Sequence, residues 1–103
     1  MAFERINAES AIALINDDNA QVIDIRDQVS FESGSIKGSM HIHNANVQSF
    51  IEESDKSRPL IVCCYHGNMS QGAADYFNQQ GFERTYSLDG GYSEWSQRYP
   101  DPG

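Results

Sequence analysis

Two cysteines occur in the 103 residues of the chain, and they are adjacent: Cys63 and Cys64. Neighbours in an extended chain point to opposite faces, so a disulfide between them would be strained. Reactivity, burial and metal binding are the uses that remain. The surrounding residues separate the two thiols. Leu60-Ile61-Val62-Cys63-Cys64 is an apolar run that reads as a buried strand, and Tyr65 to Ser70 is a tight polar loop leading into a helical pattern. Cys63 continues the strand and is expected to be a small apolar core residue. Cys64 stands where the loop begins. Backbone N–H groups curling around one point form a nest, and the helix that follows adds the positive end of its dipole. Such surroundings lower a thiol pKa from its free value of about 8.5. Gly67 permits torsions that a Cβ would forbid, and Asn68 tolerates the left-handed region better than most residues. The loop is therefore built for an anion, whether a thiolate, a persulfide or a bound oxyanion.

Two other chemistries are open to a cysteine in this setting. His66 with the two cysteines suggests zinc, but adjacent cysteines splay apart and a fourth ligand is not evident. His66 is expected instead to shape the mouth of the loop, or to add positive charge when protonated. Tyr65 either contacts substrate or walls the pocket. Cysteine phosphatases also begin a strand-to-helix loop with cysteine, in the pattern Cys-x5-Arg, where the arginine clamps two phosphate oxygens. Here the corresponding position is Ser70, and no arginine or lysine lies between Cys64 and Arg84. A phosphoryl transition state would lack its usual stabiliser, which disfavours phosphatase or arsenate-reductase-like activity.

The elements that must carry this loop are legible around it. Gln21-Val22-Ile23-Asp24-Ile25 and Arg84-Thr85-Tyr86-Ser87-Leu88 read as strands beside the Leu60 run, with shorter candidates at 3–6 and 40–42. Helical spacing appears after Asn7 (Ala11, Ile12, Leu14, Ile15) and after Asn46 (Val47, Phe50, Ile51), both asparagines being candidate N-caps. It appears again from Ser70 to Gln80, with Gly81 as the stop. Tyr92, Trp95 and Tyr99 mark a last helix ended by Pro100. Strands alternating with helices imply an α/β fold: a small parallel sheet of about five strands with helices on both faces. Ligands in such sheets sit beyond the carboxyl ends of the strands, where Cys64 falls.

Length and charge limit the partners. The chain is expected to form one domain over residues 1–103. With 15 acidic against 7 basic residues the net charge is −8, which repels phosphate backbones and anionic membranes, so neither nucleic acid nor membrane is expected as a partner. No apolar stretch of about 18 residues is present, and no basic segment leads into an apolar run after Met1. The expected compartment is the cytoplasm, consistent with unpaired cysteines. An anionic substrate would need a neutral or positive mouth within this acidic envelope.

Four segments together resemble the single-domain rhodaneses, and specifically the GlpE-type thiosulfate sulfurtransferases. They are Val22-Ile23-Asp24-Ile25-Arg26 followed by Phe31, Gly34 to Ser39, Cys64-Tyr65-His66-Gly67-Asn68, and Leu88-Asp89-Gly90-Gly91 with Trp95. The Cys-Tyr-His-Gly-Asn run is the narrower signature. Two positions depart from the pattern: Ser35 replaces a common histidine, and Met69 stands where a serine is usual. Backbone donors survive the second change, so activity is expected to persist. The resemblance implies a rhodanese-like fold and a ping-pong reaction. The Cys64 thiolate attacks the sulfane sulfur of thiosulfate, sulfite departs, and a Cys64 persulfide passes sulfur to cyanide or to a thiol acceptor such as thioredoxin. The substrate-binding residues implied are Tyr65, His66, Gly67, Asn68, Met69 and Ser70, with no cofactor and no metal. Asp24 and Arg26 are expected to tie loops together, Gly90 and Gly91 to turn tightly, and Trp95 to anchor packing. A catalytically silent rhodanese-like interaction module is the alternative, and such modules usually lack the loop cysteine.

Overall fold

The computed structural model describes residues 3–99. Pro100, the expected helix stop, lies outside them. Five strands, β1 (Glu4–Ile6), β2 (Gln21–Asp24), β3 (Met40–His41), β4 (Leu60–Cys63) and β5 (Thr85–Leu88), form one parallel sheet in the order β1-β5-β4-β2-β3. They alternate with helices α1 (Ala8–Asp18), α2 (Gln28–Ser33), α3 (Val47–Glu53), α4 (Met69–Gln79) and α5 (Gly91–Arg98).

β4 lies in the middle because all four of its residues are apolar and can be buried on both faces. Its alternation divides the core. Leu60 and Val62 join Ile23, Phe50, Ile51, Ala74, Phe77 and Phe82 under α3 and α4. Ile61 and Cys63 join Ile6, Ala11, Val22, Ile36 and Leu88 on the other face, where Leu14 and Ile15 of α1 and Tyr92 and Trp95 of α5 pack. Phe82 stacks on Phe50 and meets Phe77 edge-on, each at 5.7 Å, so three rings fill the first layer. Cys63 is therefore core, and Trp95 is a packing anchor.

Local chemistry sets the element ends. Asn7 caps α1, its Oδ1 accepting from the Ser10 amide at 2.8 Å. Asn46 departs from the expected cap. Its side chain is taken by the preceding turn, accepting from the His43 amide and donating to the His41 carbonyl, and gives α3 no cap bond. α2 has no counterpart among the sequence expectations. Its six residues include no buried one, so no apolar period marks it. Asp27 caps it through the Ser30 amide at 3.0 Å.

At the carboxyl end of β2, beside the end of β4, Arg26 makes a fork on Asp24. Nη2 is 2.7 Å from Oδ2, Nε is 3.0 Å from both oxygens, and the Arg26 amide also donates to Oδ1. The same Nη2 donates to the Gly34 carbonyl at 2.7 Å, and the guanidinium lies 4.3 Å from the Tyr92 ring centre. Burial works against the Arg26 charge, but the bond to Asp24 and its field outweigh burial and hold the group charged. This pair fastens β2 to the segment after α2 and to α5.

A buried pair that loses one partner leaves an uncompensated charge. Asp24→Ala is expected to destabilise the protein by about 3–5 kcal/mol in urea unfolding. Arg5→Gln, at the exposed pair with Asp89 (2.8 Å), is expected to change stability by less than about 1 kcal/mol. Equal effects would mean that burial of the Asp24–Arg26 pair is not what matters.

Candidate active site

Cys64 follows the last residue of β4, and the chain then turns through Tyr65, His66, Gly67 and Asn68 into α4. Its carbonyl and that of Tyr65 are not free to turn inward. The first amides of α5 claim them, with Tyr92 N to Cys64 O at 2.8 Å and Ser93 N to Tyr65 O at 3.0 Å. These bonds hold the first two peptides of the loop against α5, and two later amides meet the sulfur. Sγ of Cys64 receives the Gly67 amide at 3.2 Å and the Ser70 amide at 3.3 Å, with Ser70 Oγ also at 3.3 Å.

Glycine is required at two points of this arrangement. Gly67 has φ +92° and sits against the turn before α5, where a Cβ would come within 2.9 Å of the Gly90 nitrogen. Gly91 has φ +55°, and its Cβ would lie 2.4 Å from the Cys64 carbonyl oxygen. Asn68, which could also have taken the left-handed region, has φ −94° and ψ −53°; Gly67 makes the turn alone. The Gln71 side chain closes the loop from below, Nε2 donating to the Gly67 carbonyl at 2.9 Å.

The two thiols are separated electrostatically as well as spatially. Burial pushes the Cys63 thiol far up, and the Asp24 carboxylate adds to it. Cys64 is only 2% exposed, and burial pushes it up too. The Ser70 hydroxyl, the Ser70 and Gly67 amides and the His66 amide together overcome that penalty and bring it below the ordinary thiol value. The arrangement can hold a sulfur anion out of bulk water, with two amides and a hydroxyl at hydrogen-bonding distance.

The other loop residues divide. Gly67 and Ser70 are buried with the sulfur, whereas Tyr65, His66, Asn68 and Met69 are exposed, Met69 by 62%. None carries a carboxylate, although that of Asp27 stands beside the Tyr65 hydroxyl. Tyr65 is held from across the site: its hydroxyl donates to Asp27 Oδ1 and is 3.3 Å from Ser30 Oγ. Hydrogen bonds from the Ser30 hydroxyl and amide keep the Asp27 carboxyl below its ordinary value. The tyrosine thereby joins the Cys64 loop to the start of α2.

Sequence reasoning did not include Ser87, whose Oγ is 2.7 Å from Ser70 Oγ, or Asp27 and Ser30 as partners of Tyr65. A serine inside a buried strand was the available signal for the first. Among the described residues, no three His, Cys, Asp or Glu side chains converge as a metal site would need.

Comparison with known proteins adds the family. The rhodanese-like domain model matches residues 7–98. The chain is similar to the thiosulfate sulfurtransferase GlpE of Pseudomonas aeruginosa (strain LESB58), 54% identical over 98 residues covering 95% of this chain and 88% of that one. It is 53% identical to GlpE of Pseudomonas paraeruginosa (strain DSM 24068 / PA7), with the same coverage. A rhodanese-related protein from Thermoplasma volcanium has a similar structure, with a TM-score of 0.78, 25% identity and 94% of each chain covered.

Gly91→Ala is expected to push the loop off α5 and slow alkylation of Cys64 by iodoacetamide at least tenfold at neutral pH, since it meets both a backbone clash and a left-handed torsion. Gly72→Ala, in α4 with nothing within 4 Å of its Cβ position, is expected to leave that rate unchanged and to stabilise the protein by up to about 1 kcal/mol. Peptide mass spectrometry of the alkylated site, with urea unfolding alongside, checks both.

Proposed function

The chain belongs to the rhodanese family, and on that premise we propose that it is a thiosulfate sulfurtransferase whose nucleophile is Cys64. The observation that carries this reading is the set of groups bonded to Sγ, two donating amides and the Ser70 hydroxyl at 3.2–3.3 Å, with no charged side chain among them.

The thiolate attacks the sulfane sulfur of thiosulfate. A sulfur–sulfur bond forms on Cys64, the donor's own sulfur–sulfur bond breaks, and its electron pair leaves with sulfite. The persulfide then yields its outer sulfur to a second nucleophile: cyanide, giving thiocyanate, or a thiol of an acceptor such as thioredoxin. Splitting the transfer in two lets one cradle serve both steps, because the resting thiolate and the persulfide anion carry the same charge. Tyr65, His66, Asn68 and Met69 form the rim that meets donor and acceptor, and Gly67 and Ser70 hold the sulfur. The lack of a carboxylate on these four side chains supports entry of an anionic donor into an acidic protein. No cofactor takes part in these steps. Unpaired cysteines support a cytoplasmic setting, and among the described residues no helix is long and apolar enough to cross a membrane.

Ser70 at the sixth position after Cys64 argues against phosphoryl transfer. Its hydroxyl shares one hydrogen bond with the sulfur, where a phosphatase needs a bidentate cation directed at phosphate.

Intact mass after thiosulfate treatment is expected to rise by one sulfur atom and to fall back with cyanide or dithiothreitol. Cys64→Ser is expected to abolish both the adduct and sulfite release, while Cys63→Ser keeps most of each. Activity is expected to need the deprotonated thiol, so kcat/KM rises with pH through the Cys64 pKa. Its inflection is expected below the ordinary thiol value, in the direction set by the Ser70 and Gly67 donors. Lack of a sulfur adduct on the wild-type protein would sink the assignment, and turnover of an aryl phosphate would replace it with the phosphatase.

A further inference from the structure

Two fully buried hydroxyls stand in line with the Cys64 sulfur. Ser70 Oγ is 3.3 Å from Sγ and 2.7 Å from Ser87 Oγ, and neither serine has any exposure. Ser87 belongs to β5, opposite Val62 of β4, in a strand that otherwise contributes Leu88 to the core. A buried hydroxyl is costly unless bonded, so Ser87 at this position calls for a use of its hydrogen bond.

Counting protons gives that use. A serine hydroxyl has one proton to donate and two lone pairs to accept with. A thiolate can only accept. When Cys64 is ionised, Ser70 can give its one proton to sulfur or to Ser87, not to both. Sulfur keeps that donor only if the short bond between the serines runs from Ser87 to Ser70. Donation by Ser87 also polarises the Ser70 hydroxyl and strengthens its bond to the anion, as hydrogen-bond chains do. In the protonated state the chain reverses: Cys64 donates to Ser70 and Ser70 to Ser87, with no heavy atom moved.

We propose that Ser87 is a positioning residue of this site, donating to Ser70 Oγ and so committing the Ser70 hydroxyl proton to the Cys64 sulfur. The proposal rests on Cys64 as the working thiolate, the reading given above. The ionisable groups of the surrounding elements are otherwise engaged. Asp24 pairs with Arg26 beyond β2, Asp89 with Arg5 beyond β5, Tyr65 with Asp27 at α2, and Cys63 points to the opposite face of the sheet. His66 is exposed, and Glu94 of α5 folds over Gly90.

The test is the pH profile of Cys64 alkylation by iodoacetamide, read by peptide mass without any sulfur donor. Ser87→Ala is expected to move the inflection upward by roughly half a pH unit, the size set by losing chain cooperativity at a charge-assisted bond. Ser87→Thr, which keeps the hydroxyl, is expected to restore it. In a Ser70→Ala protein, adding Ser87→Ala is expected to shift nothing further, because the relay is already cut. A packing role alone would lower the melting temperature of Ser87→Ala and leave the inflection in place. A wild-type profile in Ser87→Ala, or the same shift with Ser70 absent, would overturn the proposal. Because alkylation needs no thiosulfate, a wild-type protein that released no sulfite would overturn the sulfurtransfer reading alone.

Discussion

The carbonyls of Cys64 and Tyr65 accept the Tyr92 and Ser93 amides of α5, and this holds the start of the loop against the last helix. A peptide unit has its donor and acceptor on opposite sides, so these two bonds set the orientation of the Tyr65 and His66 amides, and the turn at Gly67 brings a further amide onto the sulfur. The constraint requires the two backbones to approach so closely that residue 91 can have no side chain. It also requires α5 to be docked, which Tyr92 and Trp95 achieve by packing on the second core layer. Arg26 adds the third tie, since its guanidinium reaches Asp24, the Gly34 carbonyl and the face of Tyr92. The chemistry at β4 thus depends on the last helix of the fold, nearly thirty residues away in the chain.

Magnitudes explain why three donors suffice. Moving an ion out of water costs several kcal/mol in a protein after relaxation. Hydrogen bonds to charged groups contribute about 1.5–3 kcal/mol each, so three of them offset a penalty of that order. Cys63 provides the internal comparison. It is the same residue type, one position earlier, more deeply buried and without such a cradle, and its thiol is pushed up whereas that of Cys64 is brought down. Burial raises both thiols, and the donors on Cys64 offset it at the second. The pleat of a strand, which sends neighbours to opposite faces, is what separates the two.

Much of this could be read from the chain because it depends on short-range pattern. β2, β4 and β5 were legible as apolar runs, with boundaries one residue longer than observed, and the near-continuous apolarity of β4 identified the centre of the sheet. Cys64 was separable from Cys63 because a polar loop with glycine begins there. What escaped were features without a local signal. α2 buries nothing, so its six residues carry no period. Asn68 and Gly67 were both allowed a left-handed turn, and only the closeness of Gly90 to Gly67 requires it at one of them. Asn46 stood in a good capping position, but its side chain found better partners in the turn before it. Tyr65 reaches Asp27 across 38 positions and Ser70 reaches Ser87 across 17, and neither distance can be inferred without the sheet order.

The absence of a cation from the cradle fits the charge balance of the proposed reaction. Thiosulfate and sulfite are both dianions, and the thiolate and persulfide are both monoanions, so the total charge at the site is the same before and after transfer. A fixed arginine fork would attract donor and product about equally, and binding that does not change along the reaction does not accelerate it. Neutral dipoles at fixed positions follow the negative charge from Sγ to the adjoining sulfur without holding the departing dianion. Phosphoryl transfer makes the opposite demand, with charge spread over equatorial oxygens that a bidentate cation can match. Ser70 in place of arginine is thus part of the same design as the amide ring: a site that keeps sulfur ionised and releases what leaves it.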